Sequence, residues 1–396
     1  MWSVSCGIGV RRDEFEDKFT KIFGSLSPSD TYFFIINGNL CQNIALLSKE
    51  DVKFAVPING HSYAMKQTTL AKWFMAAAVF FAMASCNGTS EEQAEPQRIV
   101  RIDEAIASYK DLDSVSRAGL RDSLHDALSA YAQVLRLDTV GDSELLSISE
   151  SYPVEMFTPE VEKVFLSLDT IESDLGATLA AADKQGLGLP RHTYAAVVWG
   201  RPESMLLNGD IMLVALNHYL GASHEAYDHW PEYKRKLKSP EMLVYDIAEA
   251  EMGMKYPYSA AQSGATLLSH MLYDGALAYC KKELVPDASE ARALGFTDQE
   301  LADLYSNESF MWGKLVSGQM LHSTDADLIA RLTTPAPASP AISPNAPGRA
   351  VRFAGYRIVC AYMQRNPETK LSDLLSPTFY NSPDVLTKAA YNPQGK

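Results

Sequence analysis

The stretch Ala261-Gln262-Ser263-Gly264-Ala265-Thr266-Leu267-Leu268-Ser269-His270-Met271-Leu272-Tyr273-Asp274-Gly275-Ala276-Leu277-Ala278-Tyr279-Cys280 is apolar or small on nearly every side. Ser269, His270 and Asp274 interrupt its apolar part before Lys281. A helix without a solvent face is a buried helix. On its N-terminal side, Met205-Leu206-Leu207 and Ile211-Met212-Leu213-Val214 flank Asn208-Gly209-Asp210. That is a hairpin signal, because Asn-Gly accepts the positive φ of a tight turn. Tyr194, Val197, Val198 and Trp199 suit a further strand over His192–Trp199.

The rest reads as helix. Apolar residues recur at three and four spacings from Ile99 to Leu137 and predict two helices there. Thr158-Pro159-Glu160 opens another, with Thr as cap and Pro in the first turn, which runs to Lys184 before Gly186 and Gly188. Helices also fit Pro240–Met252, Asp298–Val316, Ala350–Gln364 and the region near Leu386, and the Pro-rich stretch 333–347 is an ordered surface loop. The expected fold class is α+β: a helix-rich single domain over residues 99–396 with a small antiparallel or mixed sheet.

A targeting segment lies inside the chain. Lys66 and Lys72 precede an apolar run from Trp73 to Ala84, then Ala84-Ser85-Cys86. The run is 12 residues, shorter than the roughly 20 that span a bilayer. Residues 65–85 therefore read as a secretion signal, and Cys86 after small residues resembles a bacterial lipobox cysteine, the attachment point for acyl chains. Several chains make such an anchor stable, since each buried methylene contributes about 0.8 kcal/mol. Residues 86–98, with Glu91, Glu92 and Glu95, read as a flexible tether. On this reading residues 1–64 are a non-native upstream extension, although Tyr32–Ile36 suits a short strand.

Composition excludes some functions. Lys and Arg total 35 against 49 Asp and Glu, so no basic field exists to neutralise nucleic-acid phosphates. No Gly-x-Ser-x-Gly elbow, phosphate loop or dinucleotide fingerprint occurs. Cys280 and Cys360 lie in apolar helical stretches, as a disulfide or as buried free thiols.

His270 and Asp274 stand four apart and share a helix face. Their span lies over the template His-Glu-x-x-His, in which two imidazoles hold zinc and the Glu activates water. Here Met271 replaces the catalytic Glu and Asp274 the second ligand. Asn307-Glu308 resembles the pair that supplies the third zinc ligand in thermolysin-like peptidases. His270, Asp274 and Glu308 are thus degenerate candidates for a metal site, with zinc a minority reading and no catalytic base present. The bland alternative is that His270 and Asp274 satisfy each other inside the helix. His218, His224 and His229 surround a loop with Glu225 and Asp228, at separations that match no helical face, and read as a solvated loop.

The order of Gly209-Asp210-Ile211 through Leu220-Gly221, Tyr227, Pro231-Glu232-Tyr233, Ser239-Pro240, Gly264 to Tyr279, Asn307-Glu308 with Trp312, Pro347-Gly348-Arg349, Gly355-Tyr356-Arg357-Ile358-Val359, Tyr362-Met363 and Tyr391-Asn392-Pro393 resembles the gliding-motility lipoprotein B family. The resemblance covers about residues 65 to 393. It implies an envelope lipoprotein of the gliding-motility and associated protein-secretion machinery, held to the inner or outer membrane through its lipid and facing the periplasm. It implies partners among the other envelope proteins of that machinery, a zincin-like fold whose site has decayed, and no cofactor. The expected role is non-catalytic. A divergent metal-dependent peptidase, or a binding module holding a peptide or glycan in a peptidase-like cleft rimmed by Arg349 and the Pro-rich loop, is the alternative.

Overall fold

The structure, a computed structural model, describes residues 31–36, 43–48, 52–58 and 61–64, and residues 94–393 apart from positions 138 and 344. The signal segment, Cys86 and the first part of the tether lie outside the described residues. Two compact units are present, residues 1–92 and 93–396.

In the first unit, β1 (Thr31–Ile36), β2 (Asn43–Ser48), β3 (Val52–Ile58) and β4 (His61–Ala64) form an antiparallel meander in chain order. Phe33 pairs with Leu46, Ala45 with Phe54 and Val56 with Tyr63. The strand expected at Tyr32–Ile36 is β1 extended by one residue.

The second unit is helix-rich with a four-stranded sheet. It opens with β5 (Ile99–Arg101), α1 (Ile102–Tyr109), α2 (Ser114–Ser123), α3 (His125–Val134), α4 (Asp142–Ser149), α5 (Tyr152–Val164) and α6 (Asp169–Lys184). Then come β6 (Thr193–Val197), β7 (Met205–Asn208) and β8 (Ile211–Ala215), followed by α7 (Glu232–Arg235), α8 (Leu243–Lys255) and α9 (Leu267–Leu284). The chain closes with α10 (Glu290–Leu294), α11 (Asp298–Ser306), α12 (Glu308–Ser317), α13 (Ala326–Thr333), α14 (Ala350–Arg365), α15 (Leu371–Leu374), α16 (Pro377–Tyr380) and α17 (Val385–Ala389).

The sheet order is β5-β6-β8-β7. The hairpin forms as expected, with Gly209 at φ +59° in its turn and Leu207 opposite Met212. The sheet is nonetheless mixed, because β6 runs parallel to both β5 and β8. Its central strands are buried on both faces. Tyr194, Ala196, Met212 and Val214 face a core with α6, α8, α9 and α14. Ala195, Val197, Leu213 and Ala215 face a second core with α1, α3 and α4. Continuous apolar character follows from this double coverage. Glu251 of α8, fully buried, accepts from Tyr194 Oη at 2.7 Å and so fixes α8 to β6.

Several helix boundaries differ from the sequence expectation. Ile99–Leu137 holds a strand and three helices rather than two helices. Ile99–Arg101 pairs with Tyr194–Ala196, and Asp113 caps α2 by accepting from the Ser116 N–H at 2.8 Å. The helix expected from Thr158 begins at Tyr152 with Pro153 in its first turn, holds Pro159 in its interior and stops at Val164. A second helix then carries the chain to Lys184. The buried helix starts at Leu267, not Ala261, because Thr266 and Ser269 form a capping box. Ahead of it the Gly264 N–H bonds the Ala261 carbonyl at 2.9 Å, with Gly264 at φ +100°. Asn307 separates α11 from α12.

At the centre, α9 crosses α14 with backbone against backbone. A Cβ on Gly355 would lie 1.8 Å from the Met271 carbonyl oxygen, and one on Gly275 would lie 2.4 Å from the Gly355 carbonyl carbon. Only glycine fits at either place. The crossing sets Asp274 of α9 beside the first turn of α14.

Candidate functional site

His270 and Asp274 lie one turn apart on α9, whose start the capping box fixes. The His270 ring stacks on Tyr258 with centroids 4.1 Å apart, and Tyr258 stacks on Tyr380 at 5.3 Å. Burial lowers the His270 pKa, opposed by the Asp274 charge. Asp274 does not find its partner in His270. Its Oδ2 lies 3.7 Å from Nη2 of Arg349, distant in sequence, which corrects the expectation that the two α9 residues satisfy each other. Met271, at the position of a catalytic Glu, is fully buried in the core.

Glu308 opens α12 and is committed elsewhere. Its Oε1 accepts from Arg357 Nε at 2.7 Å and from Tyr391 Oη at 2.9 Å, tying the C-terminal segment to α12 and α14. The structure does not bring His270, Asp274 and Glu308 together. Among the described residues, no group of three or more His, Cys, Asp or Glu side chains is placed to hold a metal ion.

Beside Asp274 lies a buried ionic array that sequence reading missed. Glu249 of α8 is bonded to Lys281 of α9 and accepts from Arg352 Nη2 of α14 at 2.8 Å. Burial alone would raise the Glu249 carboxyl, but the Arg352, Lys281 and Arg349 charges hold it well below the usual carboxylate range. One turn earlier on α8, burial raises the Asp246 carboxyl, which accepts from Tyr219 Oη at 2.9 Å. Lys281 and Arg352 are almost fully buried. Charged residues inside otherwise apolar helices were the available signal, since such groups are buried only with partners. Which partners they take depends on the helix crossing.

The histidine loop is only partly as expected. His218 is buried, with Nδ1 3.1 Å from Ser204 Oγ, and burial pushes its pKa down to about 4. His224 reaches Glu160 at 3.3 Å and His229 meets the Trp230 ring edge-on. A solvated loop is therefore the wrong description of His218. His218 and His229 both meet the Trp230 ring edge-on while His224 turns to Glu160, and the loop folds around Tyr227, whose hydroxyl donates to the Asn217 carbonyl at 2.7 Å.

Between this loop, α8 and the start of α14 lies a cavity of about 610 Å³ lined in part by Trp230, Tyr233, Lys238, Asp246, Pro335 and Arg349. Pro335 and Ala336 of the Pro-rich loop, with Gly348 and Arg349, stand in this lining. A Cβ on Gly348 would lie 1.9 Å from the Ala336 carbonyl oxygen, so the loop and the α14 start press backbone to backbone. Arg349 precedes α14 in the left-handed region at φ +62°, and its buried Nε has no hydrogen-bond partner. Lys238 donates from Nζ to Ser204 Oγ at 2.6 Å and sits over the Tyr219 and Trp230 rings at 5.4 and 5.8 Å. Burial lowers its pKa, with Asp246 opposing.

Cys280 and Cys360 are free thiols, and burial raises both, Cys360 to about 11. No helix among the described residues is long and apolar enough to cross a membrane. Residues 87–393 match the family described as Gliding motility protein GldB. No curated protein and no solved structure matches the chain. The family match begins at the residue after Cys86 and takes in the whole of the mixed sheet, both cores and the cavity. The chain belongs to the GldB family of gliding motility proteins.

Proposed function

We propose that this protein is a lipid-anchored envelope component of the gliding-motility machinery and its associated protein secretion, acting by assembly or interaction rather than by catalysis. Cys86 carries the lipid, and the second unit faces the periplasm from the inner or outer membrane. Membership of the family supports the motility role, and the run from Lys66 to Cys86 supports the anchor. The observation that carries the non-catalytic part is the fate of the residues that lie over a zinc-peptidase template. Asp274 and Glu308 are each ion-paired to a half-buried arginine, and Met271 stands in the core where a base would stand. These pairings support a reading in which the reactive positions of a zincin-like template are taken over by packing.

Metabolic labelling with palmitate, scored beside colony spreading, tests this reading. The expected result is label on the wild-type chain, none on Cys86→Ala, spreading lost with Cys86→Ala and retained with His270→Ala. Label persisting on Cys86→Ala contradicts the anchor. Loss of spreading with a folded, anchored His270→Ala chain, or stoichiometric zinc that disappears with Asp274→Ala, favours a divergent peptidase instead.

A further inference from the structure

The cavity above α8 holds an imbalance of charge. Arg349, Lys234, Lys236 and Lys238 line it, Asp246 is the one acid in that lining, and Lys236 is paired with Glu300. Glu249 answers Lys281 and Arg352, and Asp274 stands at 3.7 Å from Arg349. Lys238 has no carboxylate within ion-pair distance among the described residues; its Nζ meets a hydroxyl and two ring faces. The Nε atoms of Arg349 and Arg352 are buried without hydrogen-bond partners. Lys238 and Arg349 are the half-buried cations of the lining, and one further anion in the cavity would give them an acceptor. Burial raises the Asp246 carboxyl, which accepts from Tyr219 Oη.

The cavity is built to admit such an anion. Its volume, about 610 Å³, falls within the roughly 300–1,000 Å³ of small-ligand clefts. Arg349 and Lys238 share its lining, and exposed Lys234 stands at its edge. Trp230, Tyr233, Pro202 and Pro335 give it aromatic and apolar walls. A bare inorganic anion would leave those walls wet, and a doubly charged phosphate would lie near Asp246. A carboxylate on a peptide uses both features: the charge meets the cations, and the chain beside it covers the rings.

We infer that this cleft binds an acidic peptide segment of a partner protein, with one carboxylate seated between Arg349 and Lys238. The inference rests on the interaction reading above and names the chemistry of the partner. Ala336 packs its backbone against Gly348, and Arg349 follows in the left-handed region, so a receptor formed before the peptide arrives would lose less freedom on binding.

The test uses the full lipidated chain in phosphatidylcholine nanodiscs and a fluorescein-labelled hexaglutamate peptide, with hexaglutamine as control. The expected result is saturable binding of hexaglutamate read by anisotropy, at least tenfold weaker binding of hexaglutamine, and at least tenfold weakening by Arg349→Gln or Lys238→Gln. Because those variants alter a buried array, Lys234→Glu on the exposed rim is measured too, and about threefold weakening is expected. Equal binding of the two peptides, or unchanged affinity in Arg349→Gln and Lys234→Glu, overturns the inference. Full displacement of the peptide by equimolar inorganic phosphate or glycerol phosphate overturns it in favour of a phosphate or lipid-headgroup site. A chain that carries lipid and supports spreading yet ignores hexaglutamate sinks this inference alone, leaving the interaction reading intact.

Discussion

Arg352 and Glu249 join α14 to α8 through a 2.8 Å ion pair, and Lys281 of α9 shares the same carboxylate. The distant α14 thus meets the consecutive helices α8 and α9 at one half-buried acid, whose basic partners are themselves buried. Removing one member of such a group leaves the others charged and unpaired. Glu249→Ala is expected to lose about 3–5 kcal/mol of stability, read as a shift of the denaturant midpoint. A change below about 1 kcal/mol would mean the array is solvated.

The same array and His218 give stability a pH dependence whose sign follows from their shifts. Burial holds His218 at about 4 in the fold against an ordinary 6.5. The unfolded chain therefore binds more protons in that window, and stability falls as pH drops from 6.5 towards 4, by about 3 kcal/mol at most from this residue. Below the ordinary 4.5 of a glutamate, the depressed Glu249 carboxyl adds a further loss as pH falls towards its folded value. His218→Gln is expected to flatten the upper part of the profile and leave the lower part. A profile unchanged by His218→Gln would show that the ring is solvated.

Gly355 meets the Met271 carbonyl where any Cβ would overlap it. Gly355→Ala is expected to force α9 and α14 apart, with a loss of about 3 kcal/mol or more and reduced near-ultraviolet dichroism. A methyl group on Gly313 would meet nothing within 4 Å, so Gly313→Ala in α12 is the matched control, expected to be neutral or slightly stabilising.

Glu308 holds Arg357 and Tyr391, and Ser309 Oγ donates to the Pro393 carbonyl at 2.9 Å. Glu308→Ala is expected to speed hydrogen exchange around Tyr391 and in α17, at about 1–3 kcal/mol. Were Glu308 a metal ligand instead, the same substitution would leave the C-terminal exchange rates unchanged.

The parts of the fold visible in the sequence are those set by local chemistry. Asn208-Gly209 dictates its turn, the run of mostly apolar and small residues to Cys280 dictates burial, and Gly186 and Gly188, at φ +71° and +56°, end α6. What was not visible depends on contacts between distant segments. Ile99–Arg101 is too short to show a period of two and becomes a strand only by pairing with β6. Either Pro153 or Pro159 could open a helix; packing of Val154 and Val161 settles the start at Tyr152. Of the candidate site, the helix face of His270 and Asp274 and the rim role of Arg349 were legible. The Asp274–Arg349 pairing and the Glu249 array were not, because the glycine crossing that creates them leaves no local pattern.

The anchor proposed here requires Cys86 to be the lipid-bearing start of the mature protein. Intact-mass and peptide mass spectrometry of the protein purified from its own membranes tests this directly. The expected result is a chain beginning at Cys86 with acyl chains on that residue and no peptide from residues 1–85. An unmodified Cys86, or any peptide from before Met65, would contradict it.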